Sequence, residues 1–121
     1  MWLFTKYGFF SAVSAKKRTA SGFDGAPDPE LMMIRARRAS HLGNLKARFD
    51  TLADAEIVSK TGTDYPCRII VPHDVWTSVC EQLSAEIDYS NFKSKVGEAM
   101  SESGYLDVLH EVWEVGSKLE E

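Results

Sequence analysis

Only two cysteines occur in the 121 residues, and nowhere do 18 apolar residues run consecutively. Cys67 and Cys80 stand 13 positions apart with no further Cys or His at metal-ligand spacing. That argues against a zinc site and against a disulfide framework, and fits two free, buried thiols in a reducing compartment. The apolar opening Met1-Trp2-Leu3-Phe4 is broken by Thr5, Lys6 and Gly8 before it reaches the length of a signal core. With no membrane-length tract either, the expectation is a cytoplasmic chain that neither spans a membrane nor is exported. The sequence also lacks Gly-x-Gly-x-x-Gly, a Walker-type Gly-Lys-Ser/Thr, an Asp-x-Asp-x-Asp-Gly loop, internal repeats and low-complexity tracts. The commonest nucleotide, calcium and solenoid signatures are therefore absent.

Catalytic material is equally sparse. His41, His73 and His110 fall at or near helix starts or on a helix, and no serine or cysteine beside them forms a nucleophile motif. Cys67 and Cys80 lie on apolar faces and read as core. Asp107, Glu111 and Glu114 share one side of a helix at i, i+4 and i+7, the pattern of a solvated face. No catalytic residue, metal ligand set or cofactor is assigned, and the expectation leans away from an enzyme.

What is present is the composition of an ordinary globular domain, 44% hydrophobic and 26% charged, at a length that suits one core. The net charge of −4 hides an asymmetry: residues 1–60 carry 10 Lys/Arg against 6 Asp/Glu, and residues 61–121 carry 4 against 12. Either the halves neutralise each other, or faces of opposite sign attract between copies.

Along the chain, Trp2-Leu3-Phe4-Thr5 and 9–14 read as two strands joined by a tight turn, or one strand with a bulge at Gly8. Residues 16–29, with two Gly and two Pro, read as a long exposed loop. Residues 31–37 form a strand, and Ser40 is the N-cap candidate for a helix marked by Leu42, Leu45, Phe49 and Leu52. Strands follow over 55–60 and 65–71. A helix capped by Asp74 carries Trp76, Val79, Cys80, Leu83 and Ile87. Phe92, Val96 and Met100 mark a short helix, 101–104 interrupts it, and the C-terminal helix covers 105–119. The sum is a single α+β domain over 1–121: a two-layer sandwich of an antiparallel sheet of four or five strands with helices on one face, its β-α-β-β-α core compatible with a ferredoxin-like arrangement.

Several stretches, namely Met1-Trp2-Leu3-Phe4 with Gly8-Phe9-Phe10-Ser11, residues 31–37, Thr63-Asp64-Tyr65 with Arg68, residues 87–93 and 105–113, together resemble a family of small, mostly uncharacterised bacterial proteins. The resemblance implies a bacterial, cytosolic origin and carries no activity. Residues 16–29 depart from that family's shorter connection.

The functional expectation is a non-catalytic binding or assembly module. The sheet face away from the helices holds residues such as Trp2 or Leu3, Phe9 or Phe10, Met33, and Tyr65 or Cys67, too apolar for water. A protein partner or self-association, as a homodimer, would cover it. Nucleic acid is the alternative partner, through Lys16, Lys17, Arg18, Arg35, Arg37, Arg38, Lys46 and Arg48, although Phe9 and Phe10 cannot share a strand face. A small enzyme holding an anionic ligand through arginines is the third reading. Candidate ligand-binding residues are Arg35, Arg37 and Arg68, with Asp64 in a turn, and Asp88, Tyr89 and Asn91 at a helix junction. There Asn91 or Ser90 caps the next helix and Asp88 is free to pair with Arg35, Arg37 or Arg68.

Overall fold

A computed structural model of the chain describes residues 1–22, 24–100 and 104–120. By its contacts the chain falls into two compact units, Met1–Ile87 and Asp88–Glu121. The first opens on a hairpin of β1 (Trp2–Thr5) and β2 (Gly8–Lys16). Lys6 and Tyr7 alone connect the strands, so Thr5 pairs with Gly8, Phe4 with Phe9, Leu3 with Phe10 and Trp2 with Ser11. Both turn residues keep negative φ, and Gly8 at φ +144° absorbs the twist that a side chain would resist. Thr5 Oγ1 pins the turn, donating to the Gly8 carbonyl at 2.9 Å and accepting from the Tyr7 amide at 3.1 Å.

Then come β3 (Pro27–Ala36), α1 (Ala39–Arg48), β4 (Val58–Ser59), β5 (Cys67–Pro72) and α2 (His73–Ala85). The sheet order is β1-β2-β3-β5-β4, with every neighbouring pair antiparallel. The expected two-layer α+β architecture forms. Its ferredoxin-like part is a split β-α-β unit, because β5 lies between β3 and β4. The position on the other side of β3, however, is filled by β2 from the preceding hairpin, not by a strand following α2.

The core follows strict alternation. Phe10 and Ala12 of β2, Met32, Ile34 and Ala36 of β3, and Cys67, Ile69 and Val71 of β5 point to one face, where Leu42 and Leu45 of α1 and Trp76 and Val79 of α2 cover them. Helix α1 starts at Ala39, before Ser40, without a side-chain cap, and ends at Arg48. Phe49 is extended and a 3-10 turn follows over Asp50–Leu52, which keeps Phe49 and Leu52 buried although neither belongs to the helix. Pro72 stands at the α2 N-cap, and Asp74 instead accepts from the Val75 amide at 2.9 Å within the first turn.

Two expected boundaries move. The loop assigned to 16–29 is narrower, since β2 runs through Lys16 and β3 begins at Pro27. Backbone bonds from Lys17 N to Ala26 O (2.8 Å) and Gly25 N to Lys17 O (2.9 Å), and the Thr19–Gly22 bridge, tie it into a hairpin extension. Pro27 and Pro29 are tolerated in β3 because β5 pairs with it only from Leu31 onward, leaving one side of that segment without a ladder. The strand assigned to 55–60 shrinks to the two residues of β4; Ile57 before it turns inward against the core.

The second unit holds α3 (Phe92–Ala99) and α4 (Tyr105–Gly116), the latter followed by a 3-10 turn over Ser117–Leu119. Asn91 Oδ1 caps α3 by accepting from the Ser94 amide at 3.0 Å. Gly104 precedes α4 at φ +95°, and the rest of the expected 101–104 interruption lies outside the described residues. Val96, Tyr105 and Leu109 are buried, and Val108, Val112, Trp113 and Val115 are exposed. Among the described residues no helix is long and apolar enough to cross a membrane.

Candidate functional site: the second sheet face

Alternation sends the other half of each strand of the first unit to the face opposite α1 and α2. One row crosses the whole sheet in register: Trp2, Ser11, Arg35, Arg68 and Val58. Beside it Phe4 opposes Phe9, and on the other side Val13, Met33 and Ile70 align. Of the paired alternatives in the sequence, the register places Trp2, Phe9 and Met33 here and Leu3, Phe10 and Cys67 on the helix-covered side. Tyr65, just before β5, joins them.

The aromatic rings form a connected group. Phe4 and Phe9 stack with centroids 4.4 Å apart and planes 9° from parallel. Trp2 meets the Phe9 ring edge-on at 5.9 Å, and Tyr65 meets it at 6.2 Å and 62°. Trp2 is 68% exposed, so its indole does not depend on the fold for its cover, nor the fold on the indole.

The arginines converge on Tyr65. The Arg35 guanidinium lies 4.7 Å and that of Arg37 5.3 Å from the ring centroid. Arg35 Nη2 also donates to Ser11 Oγ at 2.8 Å. Arg68 Nη2 donates to the Tyr65 carbonyl at 3.2 Å and to Thr63 Oγ1 at 3.4 Å, and its Nη1 faces Met33 Sδ at 3.7 Å. Arg35 and Arg68 are directly opposed across β3 and β5, a like-charge pairing that destabilises a sheet. The Nε groups of both are buried without a hydrogen-bond partner. Among the described residues none of the three arginines pairs with a carboxylate, and no strand position on this face carries one.

The remaining candidates do not all join this group. Asp64 is an exposed residue of the turn before Tyr65, where Thr63 and the Tyr65 carbonyl, not Asp64, hold Arg68. Asp88, Tyr89 and Asn91 belong to the second unit, where they line a shallow polar cleft of about 470 Å³ with Ser90, Ser94, Lys95 and Glu98. Asp88 pairs with Lys95 at 3.4 Å, a neighbour along the chain. Asn91 is engaged as a helix cap.

The histidines form no constellation. His41 is buried and its Nδ1 accepts from the Phe9 amide at 3.2 Å; His73 is exposed with Nδ1 3.0 Å from the Pro29 carbonyl; His110 is exposed on α4. Both cysteines are free, and burial pushes the Cys80 thiol above its ordinary value. Among the described residues no group of three or more His, Cys, Asp or Glu is placed to hold a metal ion.

The sequence leaves Trp2 or Leu3 and Phe9 or Phe10 open for this face, and Phe4 is the ring it does not single out. Its signal is the two-residue turn: once Lys6-Tyr7 is taken as the connection, positions summing to 13 pair, and Trp2, Phe4 and Phe9 fall together. Compared with family models, curated proteins and solved structures, the chain matches none. The functional reading therefore rests on this geometry.

Proposed function

We propose that the chain is a non-catalytic binding module whose working surface is the second face of its sheet, and that its ligand presents anionic groups beside flat apolar ones. The observation that carries the reading is the trio Arg35, Arg37 and Arg68, gathered around Tyr65 with no carboxylate among them. Gathering like charges and leaving two guanidinium Nε groups unpartnered costs on the order of 1–3 kcal/mol per buried unpaired donor. A ligand anion offsets the like-charge part of that cost, and guanidinium forks suit phosphate or carboxylate.

The same charge pattern argues against closing this face with a second copy of itself. Two such faces packed together would bury both sets of arginines without a counter-charge, which is strongly unfavourable. Light scattering at high micromolar concentration is expected to show that any self-association is unaffected by Arg35→Gln.

An NMR titration with inorganic polyphosphate tests the function directly. Shifts concentrated on β3, β5 and Tyr65, abolished in the Arg35→Gln/Arg68→Gln double variant, are the expected result. Absence of shifts at low salt, or shifts confined to the cleft at Asp88–Glu98, would overturn it.

A further inference from the structure

We infer that the ligand of this face is a single-stranded nucleic acid, a reading that rests on the sheet-face function proposed above and adds what the rings are for. Arginines alone would serve any polyanion. Here they share one surface with Trp2, Phe4, Phe9 and Tyr65, whose centroids follow one another at 5.9 Å from Trp2 to Phe9 and 6.2 Å from Phe9 to Tyr65. A ligand that matches both must alternate negative charges with flat, stackable rings at short intervals. An unpaired nucleotide strand has that pattern, and a duplex does not, because its bases are stacked on each other and only phosphates and groove edges remain accessible.

The dimensions agree. Five strands at about 4.8 Å spacing make a face roughly 19 Å across, enough for two or three bases laid over the sheet. Exposed Trp2 at one edge offers an indole to a terminal base. Arg35 and Arg37 lie over the Tyr65 ring, which sets positive charge directly beside the aromatic group. Against the whole chain's net charge of −4, the first unit carries 11 Lys/Arg and 10 Asp/Glu, so its overall charge does not oppose the approach of a polyanion.

The experiment compares, by fluorescence anisotropy at several salt concentrations, a short unstructured RNA, a DNA of the same sequence, the corresponding duplex, and polyphosphate of equal charge. Tighter binding of single strands than of duplex or polyphosphate is expected, with a log–log salt slope of about −2 from three phosphate contacts. Arg37→Gln, an exposed position, should lower that slope by about 0.7. Trp2→Ala should weaken the single strands about tenfold or more and leave polyphosphate unchanged. Far-ultraviolet circular dichroism of each variant establishes that it is folded, and Trp2→Phe is expected to retain most of the binding. Equal binding of polyphosphate and single strands, or indifference to Trp2→Ala, would refute the nucleic-acid reading and leave the anion-binding function standing. Binding of none of the four probes would remove both.

Discussion

Gly8 packs directly on the His41 ring. A Cβ at Gly8 would come within 2.3 Å of His41 Cγ, and at φ +144° no L side chain is comfortable. Gly8→Ala is therefore expected to cost roughly 2–4 kcal/mol, from overpacking and backbone strain together, read as a lower urea midpoint. The loss belongs to the hairpin that sets Phe4 against Phe9, so a compensating cavity, as in His41→Ala, would restore only the steric part. Tyr7, in the same turn, donates to Glu86 Oε2 at 2.8 Å, beside the Arg48–Glu86 ion pair and Lys6 at 3.7 Å from Glu86. Burial first, and then the bond to Glu86, push its phenol from 10.0 up to about 12. The fold thus favours the protonated phenol: its contribution is whole below pH 10.0 and is lost as pH rises through about 12. Denaturation midpoints measured from pH 9 upward should fall across that window, and fall less in Tyr7→Phe.

At the scale of elements, periodicity was legible wherever a helix or strand has one wet side. Trp76 and Val79 mark α2, and Phe92 and Val96 mark α3, whereas β3 is legible as a short apolar run over 31–37. What periodicity did not show is where backbone pairing stops. Phe49 and Leu52 keep helical spacing although the helix ends at Arg48, because a 3-10 turn also brings them inward. Residues 55–60 have strand composition, yet only Val58 and Ser59 find a partner in β5. Capping was readable to within one residue, as Ser90 or Asn91, and it is the Asn91 side chain that takes a free amide of α3. Asn91→Ala should cost α3 about 1 kcal/mol, measured as faster amide exchange in residues 92–99 with little change in β3 or β5.

For the whole molecule, every member of the main core, from Phe10 to Val79, lies within the first unit. A fragment ending at Ile87 is expected to unfold in one cooperative transition with near-ultraviolet signal from buried Trp76; a non-cooperative melt would contradict this. Composition and alternation by themselves determined that the chain builds a two-layer α+β sandwich with two-sided strands, since burial of every second side chain is a local property of a strand. The sequence also singles out Arg35, Arg37 and Arg68 as candidates for holding an anion. Only the tertiary structure decided that these three meet at Tyr65, that Trp2, Phe4 and Phe9 lie on their face, and that Asp88 pairs with Lys95. The reason is register: which residue stands opposite which depends on a turn two residues long and on pairings between strands as far apart as β3 and β5, and a shift of one residue would exchange the two faces of the strand that moved.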